Sequence, residues 1–354
     1  MDRAYYQALM IVVFAVAFAS CNKDDKQAAP VITEGKKTFI VCEGSYGNGN
    51  GRLDVYFSET DSLYENVYKN INGKNLGDVF QSMTWIGDKL YLAINNSDKI
   101  VVLNKDLTLS TQIAVAKPRY ILPINEHKAY VSSMYTNKVF VFDPASSTVT
   151  GSVELSAINT EGMLLHNQKL YVCPWDTASG KVYVINTMND ELEDSFEVAG
   201  RAPSEVLIDK EQKLWILSGN VAKGKPAFWT RVDPNTKHIL RTYSFPANAD
   251  PVKPLLNSAK DSIYFIEVNN FLGAEHNGIY RMSIHDNSLP SIPFIPAHAG
   301  QYFWALAIHP NGDIYVGDPK GFTQKSSVMI YDTKGNLKKQ FNTGVGVGHF
   351  YFSD

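Results

Sequence analysis

Cysteine is scarce in this chain. Three residues, Cys21, Cys42 and Cys173, are too few to staple a disulfide scaffold. Cys42 and Cys173 lie inside apolar, strand-like runs with no metal-ligand spacing around them, so both are expected as buried free thiols. Basic clusters are missing as well. With a formal net charge of -3 and no dense Lys/Arg patch, the chain carries no electrostatic footprint for nucleic acid. The apolar run 8–19 is only about a dozen residues long, too short to cross a bilayer stably. Catalytic signatures are absent too: there is no Gly-x-Ser-x-Gly, no His-Glu-x-x-His, no phosphate-loop glycine pattern and no EF-hand-like loop. His309-Pro310-Asn311-Gly312-Asp313 has the outline of a metal loop but falls where a hairpin turn is due, and His276, His298 and His349 are dispersed. The expectation is a protein with no catalytic residue and no metal.

Strand-forming residues are plentiful. Of 354 residues 44% are hydrophobic, and the 19 Tyr and 18 Phe sit mostly in short β-like runs, enough to bury a large all-β core. One stretch sets the pattern. In 85–104, Leu90-Tyr91-Leu92-Ala93-Ile94 reads as a strand, Asn95-Asn96-Ser97-Asp98 as a polar turn and Lys99-Ile100-Val101-Val102-Leu103 as the next strand. A lone hairpin of this kind cannot bury both apolar faces and needs neighbours.

The neighbours come from repetition. Second-strand anchors recur at Phe39-Ile40, Leu90-Tyr91, Ala129-Tyr130, Leu170-Tyr171, Leu214-Trp215, Ile263-Tyr264 and Ile314-Tyr315, most of them just behind Asp or Asn turn residues. Units of roughly 40–50 residues with several strands each predict a propeller, here of seven blades. Leading strands are expected at 79–85, 120–124, 162–165, 204–208, 253–256, 304–308 and 348–352. The first anchor has no leading strand ahead of it and the last leading strand lies at the C-terminal end. The C-terminal strand is therefore expected to complete the first blade and close the ring.

The first residues read as an address. Arg3, the apolar run 8–19 and the small pair Ala19-Ser20 before Cys21 have the layout of a secretory signal over 1–20. Cys21 after those small residues resembles a bacterial lipobox, with Phe18 where Leu is more usual, which implies lipidation of Cys21. Lys23-Asp24-Asp25 resembles the surface-export signal of Bacteroidota lipoproteins. Residues 21–35, with Pro30 and little core-forming periodicity, read as a flexible tether, leaving 36–354 for the propeller. The implied location is the outer-membrane cell surface, held by the lipid anchor alone.

Several motifs carry a family resemblance. Phe39-Ile40-Val41-Cys42-Glu43-Gly44, Leu76-Gly77-Asp78-Val79-Phe80-Gln81-Ser82-Met83, Pro118-Arg119-Tyr120 and Val172-Cys173-Pro174-Trp175 resemble the surface-layer-type, YncE-like propellers of Bacteroidota lipoproteins. That group includes cell-surface cobalamin-binding propellers seated over a TonB-dependent outer-membrane transporter. The resemblance implies capture of cobalamin (vitamin B12) or a related corrinoid and its delivery to such a transporter. A protein-interaction scaffold and a metal-dependent propeller lactonase are the alternatives. The latter would gather Glu43, Glu161, Asp176, Glu267 and Asp318 at the channel mouth.

Loops between second and third strands, at 44–50, 95–98, 133–137, 174–180, 219–225, 269–277 and 318–324, combine aromatics with Asn and Gly. Aromatic planes beside amides suit a large, flat, amide-decorated or sugar-like ligand. The candidate ligand-binding residues are Tyr46, Asn95, Tyr135, Trp175, Asn220, Phe271 and Phe322, joined by Arg119, whose planar fork can meet a ligand oxygen. Gln81, on a leading strand, is expected to face the channel.

Overall fold

A computed structural model describes residues 35–268 and 277–353. The readings of 1–34, of Phe271 and of His276 fall outside these residues. Seven four-stranded antiparallel sheets form the blades of a propeller. Blades 2 to 7 run in chain order from their inner strands, Phe80–Ile86, Pro118–Asn125, Thr160–His166, Pro203–Ile208, Pro251–Leu256 and Ala305–Ile308. Blade 1 is composite. Its inner strand is Val347–Ser353 from the far end of the chain, paired with Lys37–Cys42 and followed by Arg52–Phe57 and Ser62–Tyr64. The expected closure is therefore present, in the register Thr38↔Phe352, Phe39↔Tyr351, Ile40↔Phe350.

Alternation of side chains explains why the blades need one another. Successive residues of a strand point to opposite faces of its sheet. In blade 3, Ala129 and Val131 pack with Tyr91 and Val102 of blade 2, while Tyr130 packs with Leu170 and Val172 of blade 4. Blade 5 repeats the arrangement, with Leu214 and Ile216 facing Tyr171 and Val184, and Trp215 facing Phe265 and Met282. Because both faces are covered, the second and third strands read as continuous apolar runs. Cys42 and Cys173 are fully buried free thiols in these layers.

A second clasp closes the ring. Asp54, fully buried in blade 1, accepts from Arg52 Nη2 at 2.8 Å, Asn66 N at 2.7 Å, Thr343 Oγ1 at 2.6 Å and Gly344 N at 3.0 Å. Thr343 and Gly344 belong to Leu337–Val345, the outer strand of blade 7. One carboxylate thereby ties the first blade to the last, in addition to the strand pairing.

Candidate functional site

The inner strands share a local device that shapes the channel mouth. In six of the seven blades the pairing between inner and second strand slips by one residue near the start of the inner strand, as from Pro118↔Ser133 to Ile121↔Val131 and from Thr160↔Pro174 to Met163↔Val172. Blade 7 pairs without a slip. A bulge of this kind leaves a residue unpaired and re-aims its side chain. The residues in the slips include Gln81, Arg119, Glu161, Ser204 and Lys253. In five blades a residue with positive φ stands just before the inner strand: Val79 (55°), Lys117 (40°), Asn159 (61°), Ala202 (54°) and Gly346 (70°). Blade 6 differs. There Lys253 itself is left-handed, at φ 52° and directly before Pro254, a costly conformation for a non-glycine residue.

Inner strands consequently begin up to two residues before the positions expected from sequence in blades 3, 4 and 6. The slipped segments carry Arg119, Glu161 and Lys253, polar residues that interrupt the apolar strand signal while the backbone continues to pair.

These residues line a cavity of about 290 Å³ at the mouth of the channel. Arg119 forms its core. Its Nε donates to Glu161 Oε2 at 2.8 Å, Nη2 donates to Glu161 Oε1, and Nη1 donates to Gln81 Oε1. This two-pronged clamp joins blades 2, 3 and 4 and leaves Arg119 committed to protein partners. Across the cavity Lys253 Nζ lies 2.8 Å from His349 Nε2 and 5.4 Å from the centre of the Trp304 ring, whose Nε1 donates to Glu43 Oε1 at 3.0 Å. His349 also meets Tyr120 edge-on, 5.9 Å between centroids.

Burial and charge set the ionisation of the cluster. Burial, reinforced by the Glu161 charge, pushes the Glu205 carboxyl up to about 7 against the opposing pull of Lys253 and Arg119. Burial and the Lys253 and Arg119 charges hold His349 well below the usual histidine range, so its ring is neutral and Nε2 can accept from Lys253. Burial lowers Lys253, with Arg119 adding to the effect and Glu43, Glu205 and Glu161 working against it. Two glycines allow this crowding. A Cβ on Gly348 would lie 2.2 Å from Glu43 Oε1, and one on Gly162 would lie 2.9 Å from Glu205 Cα.

Five of the sequence-derived candidates, Tyr46, Asn95, Arg119, Tyr135 and Trp175, line this one cavity. Tyr46 and Tyr135 stand on its rim with 78% and 69% of their surface exposed. Trp175 is fixed beside them by Nε1 donating to Gly219 O at 3.2 Å. Asn95 is buried, its Nδ2 donating to Pro118 O at 3.2 Å. Asn220 does not line the cavity; its side chain caps the short turn Val221–Lys223 by accepting from Lys223 N at 3.2 Å. Phe322 stands one layer behind, its ring edge-on to Trp304 at 5.9 Å. Phe271 belongs to the residues not described.

Of the five carboxylates considered for a metal, Glu43 and Glu161 reach the cavity, whereas Asp176, Glu267 and Asp318 do not line it. Among the described residues, no three His, Cys, Asp or Glu side chains converge to hold a metal ion. Glu205 and Trp304 are among the cavity residues that the sequence did not single out. Glu205 sits inside a run that reads as plain strand, and only the slip between Pro203↔Ser218 and Glu205↔Leu217 gives it away.

Solved structures share the fold. A quinonprotein alcohol dehydrogenase-like protein from Bacteroides thetaiotaomicron aligns over 91% of this chain and 79% of its own, at 19% identity and a TM-score of 0.67. The periplasmic gluconolactonase of Pseudomonas aeruginosa aligns over 90% of this chain and 99% of its own, at 13% identity and a TM-score of 0.65. A streptogramin B lyase aligns over 75% and 82%, at 14% identity and a TM-score of 0.56. None of the curated proteins matches this chain in sequence. At such identities the likeness concerns architecture, which hosts binding proteins and enzymes alike. The family assignment comes from sequence: residues 36–353 match the domain of unknown function DUF5074, and the chain belongs to that family.

Proposed function

We propose that this protein captures cobalamin or a related corrinoid on the loop face of its propeller and passes it to a TonB-dependent transporter. Cys21, as lipid attachment point, and Lys23-Asp24-Asp25, as export signal, would hold it at the outer-membrane surface. The observation that carries this reading is the rim. Tyr46 and Tyr135, 78% and 69% exposed, stand with Trp175 around a cavity whose wall is fixed by hydrogen-bonded strands. Exposed aromatic planes contribute little to the fold and much to a flat ligand.

The cavity volume of about 290 Å³ lies at the low end of the roughly 300–1,000 Å³ of ligand pockets. A corrin body therefore rests on the rim with only a peripheral group below, and its outer side stays free for transfer. The purified protein, titrated with cyanocobalamin by calorimetry, is expected to bind one equivalent. Trp175→Ala should weaken that binding about tenfold, the loss of one stacked aromatic side chain. No detectable heat across temperatures would sink the corrinoid assignment.

One observation favours a second reading. A carboxyl near neutrality, as at Glu205, suits general acid–base work, and the Pseudomonas aeruginosa gluconolactonase shares the fold. Turnover of simple lactones that disappears in Glu205→Gln would favour hydrolysis over capture.

A further inference from the structure

We infer that the cavity beneath the aromatic rim is a recognition site for an N–H donor head group, a primary ammonium or a primary carboxamide, carried on a ligand with a flat or apolar body. The inference rests on the loop face being the binding face; it does not depend on the ligand being a corrinoid.

Carboxylates outnumber bases in the cavity. Its lining holds four carboxylates, Glu43, Glu161, Glu205 and Asp250, against two bases, Arg119 and Lys253, so two carboxylates are in excess. Glu161 is committed to Arg119, and Glu43 accepts from Trp304 Nε1. The carboxyl groups of Glu205 and Asp250 accept no hydrogen bond from any described residue, and burial raises both above the ordinary carboxylate range. Both residues are only half-buried and line the cavity, so an N–H donor from outside can reach acceptors that no protein group occupies.

The cavity already holds one N–H group, that of Lys253, between an aromatic face and a ring nitrogen. Lys253 Nζ faces the Trp304 ring at 5.4 Å with His349 Nε2 at 2.8 Å, an arrangement of ring face and acceptor that suits a second N–H group beside it. The backbone at Lys253 is left-handed, at φ 52°, and its ammonium is held by the Trp304 ring and His349. Tyr120, Trp175 and Trp304 line the walls and offer contact to the body of the ligand. An anionic head group would meet the two excess carboxylates and is disfavoured.

Two sources supply this chemistry, a free amine and the primary amide arms of a corrinoid, and small probes separate them. The purified full-length protein is titrated at pH 8 with benzylammonium chloride, with benzamide and with sodium benzoate, followed by tryptophan fluorescence. At least one N–H probe should saturate in the millimolar range, with benzoate about tenfold weaker. Glu205→Gln and Asp250→Asn, each checked for a single cooperative melting transition, should weaken that probe about tenfold. Preference for benzylammonium assigns an organic cation, and preference for benzamide assigns an amide arm. Benzoate binding as tightly as the N–H probes, failure of both N–H probes, or wild-type affinity in both variants would overturn the inference. Failure of cyanocobalamin to bind would leave these outcomes unaffected.

Discussion

Glu205 concentrates the energetic tension of the channel. Its carboxyl shares the cavity with Glu161, Arg119, Lys253 and Tyr120, and it titrates near 7 instead of in the ordinary carboxylate range. The native state therefore binds the proton more tightly than the unfolded chain. The Glu205 contribution to stability is intact below the unfolded carboxyl range and is lost as pH rises through about 7. Glu205→Gln removes that loss. Chemical denaturation should find the variant more stable than wild type by roughly 1–3 kcal/mol at pH 8, with the gap shrinking toward pH 5. A gap of equal size at both pH values would contradict this assignment. The residue was hidden from the sequence for a physical reason: alternation along a regular strand would send Glu205 into a blade face, and only an unpaired neighbour turns it toward the channel. Arg119 was visible because Pro118 and Tyr120 frame it in a recognisable motif. Its fork turned out to be spent on Glu161 and Gln81, a commitment that spacing along the chain cannot reveal.

Among the elements, the second and third strands of each blade were readable throughout, since burial on both faces demands apolar runs such as Leu90–Ile94's equivalent Lys89–Ile94 and Lys99–Leu103. Inner-strand starts were less legible, because the bulged turns carry polar residues and left-handed backbone where propensity favours a loop. The composite first blade was inferable from a count of strands, but the Asp54 clasp was not. It joins residues 289 and 290 positions apart, Thr343 and Gly344, through one side chain. Removing the inner strand by deleting 346–354 should abolish cooperative thermal unfolding, since it strips one blade of its channel-side strand and exposes the pairing edge of Lys37–Cys42. Asp54→Ala keeps the strand but leaves buried donors without their acceptor, and should cost about 3–5 kcal/mol in denaturant unfolding. A truncated chain that melts like wild type would contradict closure by that strand.

The described residues form a closed ring whose loops are held by seven sheets, each packed against its neighbours. A preformed rim loses little ordering entropy on binding, which favours tight capture of a ligand. Architecture alone does not choose the ligand, and relatives in fold span a dehydrogenase-like protein, a gluconolactonase and a lyase. The choice rests on the rim aromatics and the acceptor-rich cavity beneath them. Hydrogen exchange of the intact protein, with and without saturating cyanocobalamin, tests this most directly. Capture on the loop face predicts slowed exchange concentrated in 44–50, 133–137 and 174–180, with the turns at the opposite ends of two of the same strands, around Glu126 and Asn167, unchanged. Unaltered exchange everywhere, or protection confined to those opposite turns, would contradict it.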